Sequence, residues 1–277
     1  MILHPIEQSL VRLGSLHADY RDRMLTHTDS RPEWISAADL VAKNSVHLKV
    51  ALNQVMERYK ADGLRPPAAL WFGHYAYAIE VIAIAFFMVE RRVPDLSPAL
   101  IHILLDDDGN VGNIAWKGRS FAALTDDSDA AHPDCIVFPS LNPLRDHLRK
   151  QLVASLNPVV EGVSAYSSFG KPGLWALAAD YTAYAFAWLG KSMGDETIGV
   201  EESRLFSATT SQVSAKRDFI PIHHVGFTHH LLERTSCCLY YKVEGGGYCH
   251  SCPRRPLEER IHLIKKQMEV EAAETQG

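Results

Sequence analysis

Cysteine is scarce in this chain, and its scarcity is uneven. Of five cysteines in 277 residues, four fall between Cys237 and Cys252, and the fifth, Cys135, stands alone in H-P-D-C-I-V-F. Long runs of Lys or Arg are missing and the net charge is −5, so neither nucleic acid nor an anionic membrane is an expected partner. The opening M-I-L-H-P-I-E-Q-S-L has no basic segment leading into a long apolar core. No export signal is read there, and the expected location is the cytoplasm, where thiols stay reduced. No internal repeat of 20 to 50 residues is present. No Gly-x-Gly-x-x-Gly opens a βαβ unit, because Gly245 to Gly247 sit between thiols, and this argues against a resident dinucleotide.

What is there suits a globular protein with an ample core. Hydrophobic residues make up 47% and charged residues 22% of the chain, close to the soluble average. The most apolar stretch, Ala68 to Val89, is long enough to span a bilayer. It carries His74 and Glu80 inside it and Tyr75 and Tyr77 beside them, so it reads as a buried helix; peripheral contact with the inner membrane stays open.

Periodicity gives further helices over Ala37–Lys60 (capped by Ser36 or Asp39), 144–155, 159–166, Leu174–Met193 and Leu257–Val270, where Leu257, Ile261 and Ile264 recur at helical spacing, and the tail A-A-E-T-Q-G is expected to fray. Leu100 to Trp116 reads as a β-hairpin around an Asp-Gly-Asn turn, its acidic triplet Asp106, Asp107, Asp108 lacking the spaced ligands of a calcium loop. Ile136 to Phe138 and Phe219 to Phe227 are strand-like, and Ser203 to Arg217 is ambiguous. The fold class is α+β: a predominantly helical body over residues 1–232 with a small antiparallel β element, then a short C-terminal cysteine-rich appendix and helix over 233–277.

The four clustered thiols, C-C-L-Y-Y-K-V-E-G-G-G-Y-C-H-S-C, have the spacing C-C-x10-C-x2-C. The Cys-x2-Cys half is common. The adjacent pair says more, because neighbouring side chains on a strand point to opposite faces, so Cys237 and Cys238 share a site only where the backbone turns or the site is broad. A two-iron cluster is broader than one ion and asks for four thiolates. Structural zinc uses the same ligands with wider spacing within each pair and remains the rival, attached to a helical binding or assembly protein. Between the pairs, Leu239 to Val243 reads as strand and Glu244-Gly245-Gly246-Gly247 as a return loop with positive φ.

The segment resembles the C-terminal signature of the FhuF-type ferric siderophore reductases. The resemblance implies that Cys237, Cys238, Cys249 and Cys252 ligate a 2Fe-2S cluster, that no catalytic residue beyond the cluster is needed, and that the substrate is a ferric siderophore. With no second cofactor visible, electrons are expected from a separate donor such as a ferredoxin, flavodoxin or flavin reductase. Weaker candidates are His223, His224, His229 and His230 as proton-linked groups, Arg254 and Arg255 as a charge-compensating or docking pair, and Tyr240, Tyr241, Tyr248 and Trp175 as pocket aromatics. Cys135 reads as a small buried hydrophobe.

Overall fold

A computed structural model describes residues 3–16, 24–25, 33–42, 45–214 and 217–276. The helices are α1 (Pro5–Leu16), α2 (Ala37–Leu40), α3 (Val46–Arg58), α4 (Arg65–Glu90), α5 (Leu141–Ser167), α6 (Lys171–Ser192), α7 (Glu196–Ser207) and α8 (Leu257–Gln276). The strands are β1 (Met24–Leu25), β2 (Ile35–Ser36), β3 (Arg92–Pro94), β4 (Ile101–Leu105), β5 (Val111–Trp116), β6 (Phe121–Leu124), β7 (Cys135–Phe138), β8 (Phe219–His224) and β9 (Phe227–Leu232). They form sheets in the orders β1-β5-β4-β2, β3-β6-β7 and β8-β9. Pairing is mainly antiparallel, with parallel exceptions at β1–β5 and β6–β7. The architecture is α+β with a helical body, as the sequence implies.

Helix α4 is the axis of the main core. Trp71, Phe72, Tyr75, Ile79, Ile84 and Phe86 are fully or almost fully buried, and 67% of its most apolar window lies inside the protein. Glu80 is buried on the same helix near Thr182 and Asp180 of α6, where burial holds its carboxyl well above the usual range. Most of that window is enclosed by protein, as in the core helix of a globular body, while His74 on the same helix is exposed.

Several sequence expectations change. Residues 37–60 are not one helix: α2 ends at Leu40 and α3 starts at Val46, with Lys43 and Asn44 outside the described residues. Ser36 is the cap of α2, its Oγ accepting from the Asp39 N–H at 3.0 Å. The separate helices expected at 144–155 and 159–166 are one, α5, running through Pro158. Proline removes one helical hydrogen bond there, and the burial of Leu152, Leu156, Val159, Val160 and Val163 on one side keeps the axis continuous. Helix α7 was not expected; its signals are Asp195, whose side chain caps the Thr197 N–H at 2.8 Å, and the acidic Glu196 in the first turn. Helix α8 extends to Gln276 where fraying was expected, with Gly277 outside the described residues; Ile264 and Met268 are buried but Leu257 is exposed. Cys135 is only half-buried on the edge strand β7.

The hairpin β4–β5 forms as expected. Asp106 Oδ1 accepts from the Asp108 and Asn110 N–H groups and Gly109 takes φ +81°, so the acidic triplet is turn chemistry. Helices α6 and α7 cross at glycines: a Cβ on Gly199 would stand 2.0 Å from the Phe186 carbonyl oxygen, so only hydrogen fits at that contact.

The hairpin β8–β9 positions the cysteine segment. Phe219 and Leu232 pack with Ala183, Ala187 and Val200 of α6 and α7, while Ile222 and Leu231 pack with Ile264 and Met268 of α8. The chain therefore leaves β9 at Leu232 clamped between two helical layers, and the thiols begin five residues later.

Candidate metal centre

After β9 the backbone is held by one carboxylate. Asp180 of α6 is 1% exposed and accepts hydrogen bonds from the Ser236 N–H at 2.9 Å, the Ser236 hydroxyl, the Thr235 N–H at 3.3 Å and the Arg217 guanidinium, with Arg234 Nε 3.6 Å away. A buried anion tolerates this position because the surrounding donors replace its water. It fixes residues 234–236 immediately before Cys237.

The next turn is not the strand expected over Leu239–Val243. Leu239 adopts φ 62° and Tyr240–Lys242 is a single 3-10 turn. This reversal resolves the problem of the adjacent cysteines, since the backbone turns directly after them. Tyr240 sits edge-on to Tyr59, Glu244 N–H donates to the Tyr59 carbonyl at 3.1 Å, and Lys60 pairs with Glu244 at 2.9 Å, so the return loop is docked on the end of α3. Gly245 takes φ +70°, and a Cβ on Gly246 would fall 1.9 Å from the Tyr240 carbonyl oxygen. The second pair closes through the Cys252 N–H donating to the Cys249 carbonyl at 3.1 Å, and Arg255 donates to the Tyr248 and Cys249 carbonyls.

The four thiols meet as two pairs. Cys238 hydrogen-bonds with Cys249, and Cys237 with Cys252. The hydrogen bond from Cys249 holds the Cys238 thiol down at about 6 against the effect of burial, helped by the Tyr240 N–H and the Arg234 charge. Cys249 moves upward, because it is the donor of that bond and is partly buried. Burial likewise raises Cys237. Arg234 Nη1 donates to Cys249 Sγ at 3.6 Å, and its guanidinium lies over the Tyr181 ring at 5.9 Å. Its Nη2 is buried with no hydrogen-bond partner among the described residues.

These features fit a broad, sulfur-rich, anionic group. A buried guanidinium nitrogen left without an acceptor beside four thiols matches a group that brings acceptor atoms of its own. Among the described residues, His4, His132 and Asp134 also bring three possible ligand atoms within 4.8 Å of one another. The histidine set is a structural pin: His4 Nδ1 accepts from the Ile6 N–H and His132 Nδ1 from the Asp134 N–H, so both neutral rings carry their proton on Nε2, and His4 donates it to Asp134 at 3.2 Å.

The other sequence candidates scatter. Tyr241 and Tyr248 pack on each other at 4.9 Å, with Arg254 over Tyr241 and Arg255 over Tyr248. Trp175 packs against the main core and does not line the cleft beside the thiols. His223 bonds Thr228 and His224 bonds Glu269, whereas His229 and His230 converge on Glu196. The aromatics that do face a cleft beside the thiols are Tyr181, Tyr184 and Trp188 of α6. Sequence reading missed them because they sit about 50 residues before the motif, within an alanine-rich helix that reads as core.

A mainly helical α+β body with a C-terminal thiol quartet defines an iron–sulfur protein of the 2Fe-2S class, and the comparison with known families agrees. Residues 234–254 match the FhuF 2Fe-2S C-terminal domain, and residues 69–225 match the family described as ferric iron reductase FhuF-like transporter. The chain belongs to this FhuF-like ferric iron reductase family, and its cofactor is a 2Fe-2S cluster. No curated protein matches it.

Proposed function

We propose that this protein is a cytoplasmic ferric-siderophore reductase in which Cys237, Cys238, Cys249 and Cys252 hold the cluster, each hydrogen-bonded thiol pair serving one iron. The observation that carries the reading is the pairing of the four thiols, Cys238 with Cys249 and Cys237 with Cys252, with a buried arginine that donates to Cys249 and keeps one donor unused. When bound, the cluster supplies single electrons at low potential, as all-thiolate 2Fe-2S centres do.

The chain's own residues do the rest. Cys238 is held below the ordinary thiol range by its hydrogen bond with Cys249, which favours the thiolate that iron requires. Arg234 places a fixed positive charge and a hydrogen bond on Cys249, which favours the more reduced, more negative state. The gain for the cell follows from ligand chemistry: siderophore oxygens hold hard Fe(III) far more tightly than Fe(II), so one electron loosens the cargo. The electrons come from a separate donor protein, a ferredoxin, flavodoxin or flavin reductase. The cation–aromatic surface of Arg254, Arg255, Tyr241 and Tyr248 next to Cys249 offers such a donor a landing site.

The test is anaerobic single-turnover oxidation of the dithionite-reduced protein by a panel of ferric siderophores. Purified protein is expected to be brown, to bleach on reduction, and to regain its colour with one Fe(II) trapped per electron. Colourless protein with one zinc per chain would sink the reading. In the same assay Arg234→Gln is expected to retain the cluster but lower its reduction potential by several tens of millivolts in a redox titration, where about 59 mV is tenfold for one electron. An unchanged potential would show that Arg234 serves only to anchor the segment.

A further inference from the structure

A cleft of about 340 Å³ opens between α6, the start of α7, β9 and the turn after Cys249. Tyr181, Tyr184 and Trp188 line one wall, and Arg234, His250 and Ser251 form the end nearest the thiols. The other wall carries His229 and His230, both directed at one carboxylate. His229 Nδ1 lies 3.3 Å from Glu196 Oε1, and His230 Nδ1 lies 3.1 Å from Oε2, which also accepts the His230 N–H at 2.9 Å. Burial raises the Glu196 pKa, but these bonds outweigh it and hold the carboxyl below its usual range. An ionised carboxylate bonded at Nδ1 leaves Nε2 of each ring as the exchangeable proton site. The charged groups facing the pair are Glu196 itself, Lys191 and Asp180 from α6, Glu271 from α8 and Arg234 after β9; β8 brings Ile222 and Pro221 opposite them, with no charge. The family matches end at residue 225 and resume at 234, so His229 and His230 lie outside both.

We propose that this cleft seats one face of the ferric complex and that the His229–His230–Glu196 cluster hands protons to the ligand oxygens as the iron is reduced. The proposal rests on the reductase reading above. The volume is at the low end for a ligand site and suits one chelating arm against the aromatic wall, with the rest of the siderophore in solvent. The step balances simply. Fe(III) gains the one electron that the reduced protein loses, an Fe–O bond breaks with its electron pair on oxygen, and that oxygen takes the proton from an imidazolium Nε2. The neutral ring is then recharged from water through His229, which is about a quarter exposed. The ligand class is defined by the same chemistry: hydroxamate or catecholate oxygens, which are protonated at neutral pH once released, benefit, whereas the carboxylates of ferric trioxalate, which stay ionised on release, do not. Positioned general acids contribute about 10²–10⁴-fold.

The test uses the full-length holoprotein. Calorimetry with the redox-inert gallium(III) complex of a trihydroxamate siderophore is expected to show binding that Tyr184→Ala weakens at least about tenfold, a loss on the scale of one aromatic contact. The double variant His229→Gln/His230→Gln, checked by its visible spectrum for an intact cluster, is then reduced and mixed with ferric complexes between about pH 5.5 and 8.5, across the range where imidazole titrates. Fe(II) release from hydroxamate and catecholate complexes is expected to fall about 10²-fold or more, to lose its rise toward acid, and to recover in part with added imidazole. Release from ferric trioxalate and oxidation by hexacyanoferrate(III) keep their rates. Unchanged Fe(II) release, or gallium-complex binding indifferent to Tyr184→Ala, overturns the proposal while leaving the reductase reading standing. Parallel loss with hexacyanoferrate(III) also overturns it, because the defect then lies in electron donation. A wild-type protein that reduces hexacyanoferrate(III) and no siderophore refutes the reductase reading instead.

Discussion

Asp180→Ala is expected to be the most damaging single substitution in the body of this protein, and to strip the cluster from a site it does not ligate. Asp180 is almost fully buried and gathers the Arg217 guanidinium, the Ser236 hydroxyl and two backbone N–H groups, with Arg234 close by. Removing it leaves buried cationic and amide donors without an acceptor, a change that costs about 3–5 kcal/mol. For a domain of this size that corresponds to a fall in Tm of roughly 10 °C. The same loss frees residues 234–236, the lead into Cys237. Expected results are a lower melting temperature by calorimetry and sub-stoichiometric iron and sulfide in protein purified under anaerobic conditions. A variant with full cluster occupancy and wild-type Tm would show that the β8–β9 hairpin alone positions the thiols.

Cys238→Ser separates the cofactor from the fold. Cys238 is paired with Cys249, hydrogen-bonded by the Tyr240 N–H, and packed with Leu239 against the main core. Serine fills almost the same volume but is a poor ligand for iron at neutral pH. The visible absorption and Fe(II) release are expected to vanish, while the far-ultraviolet circular dichroism stays near wild type. The body carries its own core from α1 through α6, so the helices do not depend on the thiols. If the variant unfolded as a whole, the cysteine segment would have to be a folding staple as well as an electron donor.

Much of this site is legible in the chain before any coordinates. The C-C-x10-C-x2-C spacing picks out the four thiols as metal ligands, because ligand chemistry is a property of residue types at short separation, and the family resemblance it carries points to the two-iron cluster over zinc. The long helices α4 and α6 are also legible, since a sustained apolar or alanine-rich pattern overrides local ambiguity. The conformation between the cysteines is not. Leu239–Val243 has strand composition, yet the docking of Tyr240 on Tyr59 and of Glu244 on the end of α3 bends it into a 3-10 turn. Pro158 misleads in the opposite direction: local chemistry argues for a break, and burial of one face of α5 keeps the helix whole.

The sequence by itself therefore determined what the protein can ligate: four thiols, closely spaced, in a chain with no other redox cofactor signal. Only the tertiary structure decided what stands around them. Asp180 lies 57 residues before Cys237 and Glu196 lies 33 before His229, and nothing local links either to its partner. The packing of β8–β9 between α6, α7 and α8 brings them together. Side chains meet across such distances only because burying the hairpin's apolar faces fixes where its polar residues land, and a linear pattern carries the first of these facts without the second.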